Sequence, residues 1–212
     1  MGFFFFAARC CEYCKTAKEG KTKRVQIGDL RFLKTRTREV EIDEGTDLSK
    51  VKYVSITFRD QKNGRKMETR TQGRTGDPVF DPVLRLASAV RRIKRNVSDW
   101  KRDTDICTIG KRANVLRLTD KIVLETIRSV CRIGGGKDAF GFGPDEIGNR
   151  SLRSGAAMTL ALSKKNWNSI QIMILGRWNS DAFMRYLRPQ VLELTSDMAA
   201  DMIEISGTDL GQ

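Results

Sequence analysis

Apolar and polar residues alternate over 53–58: Val54, Ile56 and Phe58 fall on one face, and Tyr53, Ser55 and Thr57 on the other. A period of two marks a half-buried strand. Asn63-Gly64 follows, a pair that tolerates the positive φ of a tight hairpin turn, so a return strand is predicted over about 66–71. Upstream, Val25, Ile27 and Leu30 mark apolar positions of a strand over 25–34. Charged and apolar residues alternate again over 38–42, which reads as a second short strand.

The period then lengthens. Leu84, Leu86, Ala87, Val90 and Ile93 line one face of a helix that runs from Asp81-Pro82 to about Asn96. Asp81 is its expected N-cap, and Pro82 suits the first turn. Arg91, Arg92, Lys94 and Arg95 give it a cationic end, which reads equally as a solvated face at the favourable dipole end or as a DNA contact. Residues 120–132 read as a second amphipathic helix, and 103–118 as short elements and loop. Residues 3–17 read as one helix, apolar first and charged later, ended by Gly20 and the basic run 21–24. The glycine-rich stretch 134–144 reads as a flexible loop. It lacks P-loop spacing, with Asp138 where a Ser or Thr would hold magnesium. Helices are predicted over about 151–163, 167–175 and 180–187, with Pro189 breaking the last, and a final amphipathic helix over 190–205. The fold class is therefore α+β, mainly helical with a small antiparallel sheet.

Composition narrows the chemistry. The 212 residues are 40% hydrophobic, enough to bury a core. Lys and Arg number 39 against 26 Asp and Glu, a net charge of +13. Such an excess attracts polyanions, nucleic acid above all, and makes binding salt-dependent. There is no histidine, which excludes His-ligated zinc and any triad with a His base. Cys11-Glu-Tyr-Cys14 has CxxC spacing, but no second such pair completes a zinc site. A redox CxxC is the other reading, but no strand precedes it; the motif reads instead as small half-buried side chains on a helix, and the odd cysteine count as a sign of a reducing compartment. No cofactor or metal is expected. The apolar run at residues 3–8 is too short to span a bilayer and lacks the form of a signal peptide. It reads as a buried helix segment whose abrupt start implies a chain beginning inside a domain.

Candidate chemistry concentrates in the last third. Arg150 and Arg153 stand three apart at a predicted helix start, with Ser151 as a possible cap. A helix N-terminus offers free N–H groups to a phosphate, and guanidiniums add charge-assisted hydrogen bonds. Gly176-Arg177-Trp178 then ends one predicted helix, Asn179-Ser180-Asp181 caps the next, and Tyr186 falls on it. Each residue alone is unremarkable: two surface arginines, and a tyrosine that packs its ring and exposes its hydroxyl.

Taken together, residues 147–189 resemble the signature of tyrosine recombinases, in which a His-x-x-Arg pair precedes a Gly-(His or Trp) step and a nucleophilic Tyr. The string Gly-Arg-Trp-x-Ser-Asp-Ala-Phe-x-Arg-Tyr is most similar to eukaryotic mobile-element members of the Crypton type. The resemblance matches Arg153 to the second family arginine, Arg177 to the His/Trp position and Tyr186 to the nucleophile. It also extends upstream. Arg9-Cys-Cys-Glu12 has the form of the family's first arginine, otherwise read as a simple i,i+3 ion pair. Lys62, before Asn63-Gly64, matches the hairpin lysine, with Lys66 in reserve. The resemblance implies a catalytic domain over 1–189 and a C-terminal helix and tail over 190–212; the family's upstream core-binding domain is expected to be missing from this chain, a departure from the family pattern. It implies double-stranded DNA as partner, assembly as a homo-oligomer on DNA, no membrane, and a nuclear or other DNA-containing compartment.

The implied chemistry is DNA breaking and rejoining, as in recombination or integration. Tyr186 attacks the scissile phosphate to form a 3′-phosphotyrosyl link, Arg9 and Arg153 neutralise the phosphate oxygens, and Lys62 protonates the leaving 5′-oxygen. One position departs from the family: Arg150 stands where His is usual. Arginine stays protonated near neutrality, so Arg150 can stabilise charge but cannot take the Tyr186 proton. A non-catalytic DNA-binding relic of the same fold is the alternative.

Overall fold

The structure, a computed structural model, describes residues 2–17, 20–61, 64–111, 114–163 and 167–179. The chain divides into two compact units, Met1–Ala156 and Ala157–Gln212.

The helix expected over 3–17 is broken in two. A 3-10 helix spans Gly2–Phe6, and a four-residue helix, α1, spans Cys10–Tyr13. The break is at Ala7, which takes a left-handed φ of 44°. Ala8 N–H donates to the Phe3 carbonyl at 3.2 Å and Ala7 N–H to the Phe4 carbonyl at 2.9 Å. This is the paired closure that usually places glycine at the left-handed position. Phe6, Ala7 and Ala8 are all buried, and the Gln72 amide donates to the Phe5 carbonyl at 2.6 Å. Tertiary packing thus holds a turn that local propensity does not favour.

The expected strand over 25–34 starts late. Asp29 accepts from the Gln26 N–H at 2.8 Å and closes a 3-10 turn over Ile27–Asp29, so β1 covers only Leu30–Leu33. β2 (Glu39–Val40), β3 (Tyr53–Asp60) and β4 (Lys66–Gly73) complete an antiparallel sheet in the order β2-β1-β3-β4. Its register sets Phe32 opposite Val54 and Ile56 opposite Arg70. Among the described residues, no strand pairs with the outer edge of β4, and Met67 within it takes a left-handed φ of 53°.

Val54, Ile56 and Phe58 are buried as their alternation predicts, and they share one core with Val83, Leu86, Ala87, Val90 and Ile93 of α2 (Pro82–Asn96). The Asp81 carboxylate accepts from the Leu84 N–H at 2.9 Å, from Thr75 N–H at 3.1 Å and from Arg74 at 2.6 Å. The N-cap therefore also ties the connection after β4 to the start of α2.

The short elements expected within 103–118 are two strands paired antiparallel, β5 (Thr108–Lys111) and β6 (Asn114–Arg117). α3 spans Asp120–Ile133, capped by Thr119. The glycine-rich stretch is not wholly loop: α4 covers Gly136–Phe140, framed by Gly135 and Gly141 at φ of 100° and 75°. Those glycines start and stop a helix. α5 spans Ser151–Ala161. In the second unit α6 spans Ser169–Gly176, and Ile172 packs with Ala157. The helices expected over 180–187 and 190–205 lie outside the described residues. The chain is thus mixed α+β with a small antiparallel sheet.

Candidate functional site

Arg9 sits immediately before α1, where the first turn leaves backbone N–H groups to satisfy. The Glu12 carboxylate reaches back to the Arg9 N–H at 2.7 Å and also takes its guanidinium at 2.9 Å. Glu12 is 1% exposed and the Arg9 side chain 18%, so a nearly dry carboxylate holds a cation that reaches solvent. Removing one partner of so buried a pair costs on the order of 3–5 kcal/mol.

The same guanidinium donates to the Gln61 side-chain oxygen at 3.2 Å. Gln61 is buried, and its amide nitrogen donates to Glu68 at 2.6 Å. Glu68 also takes Arg65 at 3.0 Å and Arg70 at 3.3 Å. Burial pushes the Glu68 carboxyl up, but the hydrogen bonds from Gln61 and Arg65 and the charge of Arg70 outweigh it and hold the group below its ordinary range. Arg9 is thereby tied to the β3–β4 hairpin, whose turn is closed by Gln61 N–H to Arg65 carbonyl at 3.1 Å. Lys62 and Asn63 lie outside the described residues, while Gly64 carries the φ of 79° expected of the turn.

Arg153, the third residue of α5, is 6% exposed and donates to the carbonyl of Ala7. The left-handed turn at Ala7 therefore has a second role: its carbonyl receives a guanidinium just two residues ahead of Arg9. Two of the arginines singled out by sequence are brought to one short backbone segment.

Arg150 differs. Its side chain is exposed, and its carbonyl accepts the Ser154 N–H at 2.9 Å to begin α5. Ser151 does not occupy the cap position. It is the first helical residue, and its hydroxyl accepts from Gly148 N–H at 2.9 Å.

In the second unit, Arg177 is fully buried with φ 56° and ψ 43° at the end of α6. Its N–H donates to Ile174 at 3.3 Å and that of Trp178 to Met173 at 3.1 Å, the same paired closure seen at Ala7. A Cβ on Gly176 would collide with the Trp178 ring, so Gly176-Arg177-Trp178 has a packing reason for its first and last residues. Tyr186, Ser180 and Asp181 lie outside the described residues.

Gln61, Glu68 and the Ala7 carbonyl were not among the residues picked out by sequence. A position beside a predicted hairpin turn was the only signal for Gln61, and Ala7 gave none. Among the described residues, no group of three or more Cys, Asp or Glu could hold a metal ion, and no helix is long and apolar enough to cross a membrane. No family model, curated protein or solved structure matches the chain.

Proposed function

We propose that this chain carries a DNA breaking-and-rejoining site of the tyrosine-recombinase kind. The observation that carries the reading is the meeting of Arg9 and Arg153 at one backbone segment, from opposite ends of the first unit. A resemblance drawn from short, separated motifs demands some such meeting; unrelated surface arginines do not. The charge of +13 supports double-stranded DNA as the partner.

In this reading the Arg9 and Arg153 guanidiniums stabilise the charge that spreads over the phosphate as it passes between oxygens. Glu12 and Gln61 set the first of them in place before substrate arrives, which lowers the cost of ordering it. Tyr186 supplies the oxygen that attacks phosphorus, and the 5′-oxygen leaves with a proton from Lys62. Reversal of the step rejoins DNA. The protein works as a homo-oligomer on DNA, in the nucleus or another DNA-containing compartment.

Arg150 favours a second reading, a DNA-binding relic without catalysis. It stands at the family's histidine position, is exposed, and cannot accept a proton near neutrality.

The test is a suicide DNA substrate whose cleaved product diffuses away. An SDS-stable adduct that disappears in Tyr186→Phe supports strand transfer. An adduct formed equally by Tyr186→Phe moves the nucleophile elsewhere. Tight DNA binding with no adduct supports the relic, and no DNA binding at all removes both readings.

A further inference from the structure

The cationic end of α2 has no part in the site around Arg9. Its sequence allows a solvated face or a DNA contact, and the fold supplies a third use. Between β2 and the 3-10 helix Leu48–Lys50 runs a loop over 41–47, with the carboxylates of Glu41, Asp43, Glu44 and Asp47. Ile42 anchors the loop, 2% exposed within the main core. Thr46 closes it: the hydroxyl donates to the Asp43 carboxylate at 2.7 Å and accepts from the Asp43 N–H at 2.9 Å.

The loop takes up three of the four α2 cations. Arg91 Nε donates to the Asp43 carbonyl at 2.7 Å, and the same guanidinium donates to the Thr46 carbonyl. The Lys94 ammonium donates to Glu41 at 2.8 Å and lies 4.5 Å from the centre of the Trp100 ring. Arg95 lies 3.4 Å from Glu44. The fourth cation, Arg92, is half-buried, and its Nε is buried with no hydrogen-bond partner among the described residues.

These contacts have a fixed part and a loose part. The Arg95 and Glu44 side chains are 63% and 62% exposed, and such a pair is worth only about 0–1 kcal/mol, so a phosphate could part it. The loop does not leave with the pair. Ile42 in the core and Arg91 on two backbone carbonyls keep it in place. A phosphate that approaches Lys94 or Arg95 therefore meets Glu41 and Glu44 too, and their repulsion offsets the attraction.

We propose that loop 41–47 is a built-in counter-anion that withholds the basic end of α2 from duplex DNA. It rests on the DNA-binding part of the proposed function. Contact with the duplex comes from other cations, and neutralising the loop adds the end of α2 to the binding surface.

The test measures affinity of the whole chain for a DNA duplex by fluorescence anisotropy across a salt series. Lys94→Gln with Arg95→Gln should change affinity by less than about twofold and leave the salt slope as it was, since neither cation displaces counterions. Glu41→Gln with Glu44→Gln should steepen the slope by roughly 1–2 and raise affinity at low salt about tenfold. In that background, Lys94→Gln with Arg95→Gln should remove the whole gain. Equal losses from the lysine and arginine changes in both backgrounds would overturn the proposal, because overall charge alone produces them. So would an unchanged affinity in Glu41→Gln/Glu44→Gln. The Arg95 and Glu44 changes alone, both at exposed positions, repeat the cycle at about threefold and leave Lys94 on Trp100. Absence of duplex binding in every version would remove the proposed function as well. The expected pattern of slopes without a covalent adduct would remove strand transfer and leave the counter-anion standing.

Discussion

The guanidinium of Arg153 donates to the carbonyl of Ala7, 146 residues earlier in the chain. The acceptor is exposed to that donor only because Ala7 turns left-handed and ends the first 3-10 helix. A strained residue and a buried cation therefore depend on each other. The left-handed conformation costs an alanine roughly 1–2 kcal/mol, and a buried carbonyl without a partner costs about 1–3 kcal/mol.

Arg153→Ala should accordingly lower stability by about 1–3 kcal/mol, the cost of leaving a buried acceptor unpaired. Urea denaturation reads it as a lower midpoint with unchanged slope. An unchanged midpoint would mean that water replaces the guanidinium at no cost.

Gly176→Ala should destabilise the second unit, although alanine in a helix is ordinarily better by about 1 kcal/mol. The Trp178 ring occupies the space the new methyl needs. Adding Trp178→Ala should recover much of the loss, and the double-mutant cycle should give a coupling of about 1 kcal/mol or more. Additive losses would show that the ring moves aside freely.

Acid should weaken the joint between β4 and α2. Burial raises the Asp81 carboxyl, but Leu84 N–H, Arg74 and Thr75 N–H outweigh it and hold the group below its ordinary value. A carboxylate depressed in the folded state contributes fully above its unfolded pKa, about 3.9 for Asp. That contribution is lost as pH falls from there through the folded value. Asp81→Asn should therefore lower stability at pH 7 and flatten the decline below about pH 4. Thermal melts at pH 7, 4 and 3 test it; parallel losses at all three would count against the assignment.

Duplex DNA binding should fall linearly in log affinity with log salt, because bound cationic side chains displace counterions. Fluorescence anisotropy across a salt series measures the slope. Affinity that does not change with salt would dissociate the charge of +13 from DNA binding.

Local chemistry made much of this legible. Val54, Ile56 and Phe58 announce β3 by alternation, and Asp81-Pro82 announces α2 by its cap, because neighbours in sequence decide both. The break at Ala7 was not legible, since an alanine turns left-handed only where distant packing compels it. The glycines of 134–144 suggested a loop, but at helix ends they serve as start and stop, and composition does not distinguish the two uses. Arg9 and Glu12 were readable as a pair three apart. Their link through Gln61 to Glu68 was not, because the register of a hairpin against α1 has no local signature. Arg150 and Arg153, identical in kind and three apart, differ in burial for the same reason.

The sheet also has a boundary to keep. The outer edge of β4 presents backbone N–H and C=O groups to any strand that approaches, and open edges of this length invite chains to stack edge to edge. Lys66 places a cation on that strand, Arg70 is ion-paired with Glu68 two residues away, and Met67 takes a left-handed φ of 53° that an extended partner strand would not match. Edge-to-edge association then rests on a few residues of one outer strand: replacing Lys66 with valine and Met67 with an extended β-former should make the chain grow fibrils with age.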